Sequence, residues 1–291
     1  MNHIIQFAPG IEKIVEGSLY PYQADGVAFL LSKKRAILAD DMGLGKTRQA
    51  IVAMEAGCPD GTVLVVCPAS LKLNWRREIL ILDSDASIEV LGVDKNPTNT
   101  PRWIIVNYDL LGKYTERLQA IDWAGIILDE AHFIKNASKR TSHCLKLLGV
   151  QAEACAPVIG PEYVFLLTGT PMTNRPKDLF NLFRCVCHPA SRSFLSFAKR
   201  FCDAYRNEYG WERRQRRHPC WRRASGSSPV LVIRRQRIRS HSVGPAIWNV
   251  RARASTGAAT ANMFARCGRR SSRYKYKRHC WGVSSCKTTC A

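Results

Sequence analysis

The sequence predicts an α/β fold, a doubly wound domain on a mostly parallel sheet, and two observations predict it. Short apolar runs alternate with helical patterns through the first two-thirds of the 291 residues. The runs are continuously apolar rather than alternating, which suits strands covered on both faces by helices. Such a fold binds its ligands at the carboxyl ends of the strands.

The elements follow in order. A helix is expected over Gln23–Ser32, ahead of the strand "RAILA" at Arg35–Ala39 and the helix Thr47–Ala56. The run "TVLVVC", Thr62–Cys67, gives the next strand and Leu71–Leu80 its helix. Strands at Ile88–Val93 and Trp103–Val106 precede a helix over Leu110–Ile121. Gly125–Leu128 and Val164–Leu167 complete the strands, with helices at Ser138–Leu148 and Pro176–Cys185. No internal repeat interrupts the series.

Charge divides the chain in two. The net charge is +21, but residues 1–212 hold 24 Lys+Arg against all 23 Asp+Glu, a balance of +1. Residues 213–291 hold the other 20 Lys+Arg and no carboxylate, 17 of the 20 being Arg. A domain over 1–212 and a basic, unstructured tail over 213–291 are therefore expected. Two readings of the tail stay open. One is a disordered arm that grips phosphate backbones. The other, which the scattered Trp and Cys favour, is a stretch read out of frame. "PVLVIRR" at 229–235 is the one strand-like run in it.

Several function classes are disfavoured. "MNHIIQFAPGIEK" is not a basic start followed by an apolar core, and runs such as "VLVVC" are too short to span a bilayer. The 12 cysteines form no regular framework. A reducing compartment with buried thiols is expected, namely the cytoplasm or nucleoid of a prokaryote or phage, or a eukaryotic nucleus, with no membrane partner. Cys185-Val186-Cys187-His188 and His279, Cys280, Cys286 and Cys290 lack paired C-x-x-C knuckles, so no structural zinc is expected.

The chemistry begins at "ILADDMGLGKT", Ile37 to Thr47. A phosphate loop curls backbone N–H groups around an anion at a helix N-terminus. Gly43 and Gly45 permit that approach, Lys46 reaches the β- and γ-phosphates, and the Thr47 hydroxyl takes a place on Mg2+. Asp41, Met42 and Leu44 complete the loop. Asp40 stands where the general pattern asks for glycine. Eighty-three residues after Lys46, the strand "GIIL" ends in Asp129 and Glu130. Asp129 is placed to hold Mg2+, usually through water, and Glu130 to polarise the attacking water. Together the two motifs mark a nucleoside triphosphate site.

Here the sequence resembles a family: the first motor lobe of the Swi/Snf-type DNA-dependent ATPases, in helicase superfamily two. Its phosphate loop reads D-[ED]-M-G-L-G-K-T, which makes Asp40 the residue the resemblance expects. "LYPYQADGVAFL" (19–30) resembles the adenine-side motif, implying that Gln23 reads the base. "VLVVCPASLKLNWRREI" (63–79) resembles the motif whose loop and Trp75 helix flank the nucleic-acid track, and "IIVNYDLL" (104–111) matches the following step. "DEAHFIKN" (129–136) is the acidic motif, in which His132 links the nucleotide site to the next. That next one, "LLTGTPMTNRPKDLFNLF" (166–183), carries Thr168, Gly169 and Thr170, which the resemblance makes couplers of nucleotide state to DNA. "RPKDLF" and "FAKRFCDAYRNEYG" (197–210) look most like the annealing-helicase branch. The resemblance covers about residues 17–212 and implies a RecA-like lobe, ATP and Mg2+ as cofactors, and duplex or branched DNA as partner. Trp75, Trp103 and Trp123 are expected in the core rather than as base-stacking platforms. The family's second lobe supplies arginines in a segment like Q-x-x-x-R-x-x-R-x-G-Q, and residues 213–291 contain no match to it.

Overall fold

The computed structural model describes residues 19–95, 101–150, 160–172 and 175–202, and the strand backbones of 204–207, 210–213, 231–237 and 243–249. Six parallel strands form its centre: β1 (Arg35–Leu38), β2 (Thr62–Cys67), β3 (Ile88–Val90), β4 (Trp103–Asn107), β5 (Trp123–Leu128) and β6 (Tyr163–Leu167). Their spatial order is β1-β6-β5-β2-β4-β3.

Helices cover both faces. Alternate residues of each strand point to opposite sides. Ala36, Leu38, Val63 and Val65 pack with helices α1 (Pro21–Lys33), α2 (Lys46–Gly57) and α3 (Lys72–Leu82). Ile37, Leu64, Val66 and Ile126 pack with residues of the later helices. These are α4 (Thr115–Gln119), α5 (Lys139–Leu147), α6 (Asp178–Cys185) and α7 (Phe194–Phe201). Burial on both sides is why the strands are apolar throughout. The doubly wound parallel fold is the one expected, and all six expected strands form. Trp75 and Trp103 are completely buried and Trp123 nearly so, as expected.

Two elements differ. The helix expected over Leu110–Ile121 is a 3-10 turn at Tyr108–Leu110, a further turn, and only the five residues of α4. Gly112 weakens the helix interior, and the Thr115 hydroxyl donates to the Leu111 carbonyl at 2.8 Å, competing for backbone partners. Conversely, α7 was not expected. Its signal is present in Ser193, which caps the helix through the Ser196 N–H, and in Phe194, Phe197 and Phe201 at helical spacing.

In the basic segment, β9 (Leu231–Arg237) pairs in parallel with β1, and β10 (Val243–Asn249) pairs antiparallel with β9. The strand expected at 229–235 overlaps β9. A separate hairpin joins β7 (Ala204–Asn207) to β8 (Gly210–Arg213). The disorder expected of the tail, and His279, Cys280, Cys286 and Cys290, lie otherwise outside the described residues. Among the described residues no helix is long and apolar enough to cross a membrane.

Candidate nucleotide site

Strand order creates the site. β6 lies between β1 and β5, with Leu38 abreast of Leu167 and Leu128 abreast of Leu166. The loops that follow all three strands therefore leave the same edge of the sheet. Neighbouring strands are about 4.8 Å apart, so the ends of β1 and β5 are separated by about 10 Å.

The first loop is set by glycine. Gly43 and Gly45 have φ of 80° and 69°, the left-handed region, and Gly45 is the N-cap of α2. A Cβ on Gly45 would collide with the amide nitrogen of Gln23. That amide donates to the Leu44 carbonyl at 3.3 Å, so Gln23, expected at the base, also props the loop from outside. Gln49 was missed by sequence reasoning. It is buried on α2 and donates to the same carbonyl at 3.1 Å and to Asp40 Oδ2 at 3.3 Å. This explains Asp40: fully buried, it serves as an acceptor inside the loop, which a glycine cannot do. A lone amide among the apolar residues "AIVAM" was the available signal for Gln49.

Lys46 Nζ donates to the carbonyls of Asp40 and Asp41, at 2.9 and 3.2 Å. Burial lowers its pKa, while the carboxylates of Glu130, Asp40, Asp129 and Asp41 work against that shift. The ammonium thus sits among the acidic groups of both motifs. Thr47 follows it, half-buried in the first turn of α2, and Met42 is exposed at the loop's tip.

Asp129 is buried at the end of β5 and held at every polar atom. Its N–H donates to Val66 O at 2.8 Å, and its carbonyl accepts from Tyr108 Oη at 2.7 Å. Oδ2 accepts from Trp75 Nε1 and Oδ1 from the Glu130 N–H, both at 2.8 Å. Burial raises the carboxyl's pKa, and the Trp75 hydrogen bond is the strongest influence opposing that rise. Glu130 then turns the chain with φ 47° and ψ 51°, an uncommon conformation for a residue with a Cβ. Its Oε2 lies 3.0 Å from His132 Nδ1. Even so, neither of these buried atoms has a hydrogen-bond partner among the described residues.

The third loop closes the group. Thr168 is fully buried, its N–H donates to Leu38 O at 3.1 Å, and its Oγ1 accepts from the Thr170 N–H at 3.1 Å. A Cβ on Gly169 would come within 3.2 Å of Met42 Cγ, so this loop rests directly on the phosphate-loop backbone. The structure thus gathers Gln23, residues 41–47, Asp129, Glu130, His132 and residues 168–170 along one edge. Elsewhere, Cys185 is fully buried and His188 Nδ1 accepts from the Ala190 N–H at 3.0 Å. Among the described residues no three metal-ligating side chains gather.

Residues 22–223 match the family described as the SNF2-related domain. The chain belongs to this family. It is 36% identical over 203 residues to the Xenopus laevis SWI/SNF-related matrix-associated actin-dependent regulator of chromatin subfamily A-like protein 1, covering 67% of this chain and 20% of that protein. It is 31% identical over 206 residues to the Bos taurus DNA annealing helicase and endonuclease ZRANB3, covering 67% of this chain and 18% of the relative. This SNF2-related chain therefore spans about a fifth of the length of those relatives. Its fold is similar to a Sulfolobus solfataricus SWI2/SNF2 ATPase core in complex with dsDNA. The TM-score is 0.54 at 28% identity, over 63% of this chain and 38% of that one. Both the RecA-like lobe and the annealing-helicase likeness are therefore those the sequence motifs imply.

Proposed function

We propose that this chain is the ATP-binding lobe of an SNF2-type motor in which DNA-stimulated ATP hydrolysis drives remodelling or annealing of duplex or branched DNA. The observation that carries the reading is the placement of Lys46 among the carboxylates of Glu130, Asp40, Asp129 and Asp41, across the end of β6. An ammonium, a glycine-turned helix N-terminus and two strand-end carboxylates are the groups a bound triphosphate requires.

The roles follow from position. Backbone N–H groups of residues 43–47 face the phosphates, and Lys46 leaves the carbonyls of Asp40 and Asp41 to reach the β- and γ-oxygens. Gln23 orients the adenine. Magnesium fits the donor set: Thr47 offers a hydroxyl, and the Asp129 oxygens retain lone pairs beyond their hydrogen bonds, enough to hold a hydrated ion. When bound, the ion neutralises charge on the β- and γ-phosphates. Glu130, whose Oε2 has no hydrogen-bond partner among the described residues, takes the attacking water. His132, Thr168, Gly169 and Thr170 carry the state of the site towards DNA. Arginine fingers contribute about 10³–10⁵ in rate.

Fluorescent mant-ATP titration tests this reading. The chain binds mant-ATP with Mg2+, and Lys46→Ala weakens binding at least about 100-fold, because the ammonium is the main charge on the phosphates. Equal binding by the two proteins rules the reading out. A second reading, a non-catalytic DNA-binding module, is favoured by the +20 balance of residues 213–291. It requires salt-dependent DNA affinity that survives Lys46→Ala and disappears with removal of 213–291. Affinity unchanged by that removal eliminates it.

A further inference from the structure

Asp129 is gripped by two residues from other loops. Trp75, on the buried side of α3, donates its indole N–H to the carboxylate at 2.8 Å. Tyr108, in the turn after β4, donates its hydroxyl to the Asp129 carbonyl at 2.7 Å. Both donors are buried, Trp75 at 0% and Tyr108 at 3% exposure. The Tyr108 ring also stacks on Phe133, with centroids 5.6 Å apart and planes 15° from parallel. Tyr108 thus touches the acidic motif on both sides of Glu130, where the backbone makes its left-handed turn.

The outward side of α3 is differently built. Leu73 and Arg77 are exposed, four residues apart and so on one face. Trp75 lies midway between them in sequence and therefore on the opposite face. One short rigid helix spans from solvent to the carboxylate. Hydrogen bonds weaken steeply as distance and angle depart from the optimum, and a close-packed interior transmits small shifts.

We propose that Trp75 and Tyr108 are positioning residues. Through their hydrogen bonds they set the orientation of the Asp129 carboxylate towards magnesium. The inference rests on the nucleotide reading above. Neither residue touches the phosphates, so each acts only through Asp129. Loss of an outer-shell partner typically lowers metal affinity about 10- to 100-fold. The phosphate contacts of Lys46 and residues 43–47 are untouched by it.

The experiment is a mant-ATP titration on the full chain, with and without Mg2+. Trp75→Phe keeps an aromatic ring and removes the donor; Tyr108→Phe removes one hydroxyl. Both variants are expected to bind mant-ATP without Mg2+ within about twofold of wild type. In Trp75→Phe the Mg2+ concentration for half-maximal tightening rises about tenfold or more. A variant whose magnesium dependence matches wild type overturns the proposal. So does one that loses affinity equally with and without Mg2+, the mark of a structural role. If circular dichroism shows Trp75→Phe to be unfolded, Tyr108→Phe decides by the same criteria. A wild-type chain that binds no mant-ATP overturns the nucleotide reading, and this inference with it.

Discussion

Two buried polar regions of this molecule have been built by opposite means. At the carboxyl edge of the sheet, Asp40, Gln49, Gln23 and Asp129 are buried, and each has hydrogen-bond partners on neighbouring elements. At the turn between α6 and α7, His188 is buried as deeply, but only its Nδ1 has a partner and Nε2 has none among the described residues. A satisfied buried group costs little and fixes geometry; an orphaned one carries its desolvation uncompensated. The first arrangement fixes the shape of a loop. The second fills a turn and leaves a point of weakness to acid. Substitutions in both regions test this contrast.

The largest effect is expected at Gly45. Gly45→Ala forces a Cβ into the left-handed region and into the Gln23 amide, breaking the prop under Leu44 as well as the turn. Mant-ATP affinity falls at least about 100-fold, as at Lys46, while far-UV circular dichroism of the sheet persists. Retained affinity would mean that the loop's satisfied network is not what presents its N–H groups.

His188 comes next. Burial, with the charge of Arg200 adding to it, pushes the imidazole pKa from the usual 6.5 down to about 4. Between those values the unfolded chain binds a proton that the folded chain refuses. The contribution is complete above pH 6.5, falls as pH drops towards about 4, and levels off below. Urea midpoints across that window should report a loss of up to roughly 3 kcal/mol. His188→Asn keeps an acceptor for the Ala190 N–H and removes the titration, so its stability curve should be flatter. Equal slopes would assign the acid sensitivity elsewhere.

Gln49→Leu sharpens the comparison from the other side. It preserves bulk but strips one donor from Asp40 and one from Leu44, making the carboxyl edge resemble the His188 turn. A loss of about 1–3 kcal/mol in urea unfolding is expected, with a several-fold fall in mant-ATP affinity. Since Asp40 is fully buried, no cost would show that it finds another partner.

How far the sequence shows this depends on the range of the interactions. Six strands and the glycine-turned loop at residues 41–47 are legible because an apolar run and a glycine pair act locally. The candidate site residues are picked out by motif and resemblance, and the structure gathers them at one edge. The contacts of Gln49 and Trp75 are not legible, because their partners are 9 and 54 positions away, although a lone amide in an apolar helix marks Gln49 itself. Trp75 is expected in the core and is there, but its indole nitrogen does more than fill space. The failure at Leu110–Ile121 has a different cause. Apolar spacing alone suggests a helix, while Gly112 and the Thr115 hydroxyl offer the backbone other conformations. The strand over 229–235 is readable from its apolar start. Its place beside β1 depends on a register of Ile37 with Val232 that no local pattern encodes.

The smallest effect belongs to the surface and completes the contrast. Arg140 pairs with Asp109 at 2.6 Å, with side-chain exposures of 42% and 65%, and also lies over the Phe133 ring at 5.8 Å from its centroid. A pair this open exchanges water contacts for ionic ones at little net gain, and salt screens what remains. Arg140→Ala should therefore change stability by no more than about 0.5 kcal/mol. A larger loss that persists in 1 M salt would be packing rather than charge, and would locate it at Phe133. Since Phe133 stacks on Tyr108, it would also show that the hold on the acidic motif extends to the surface of α5.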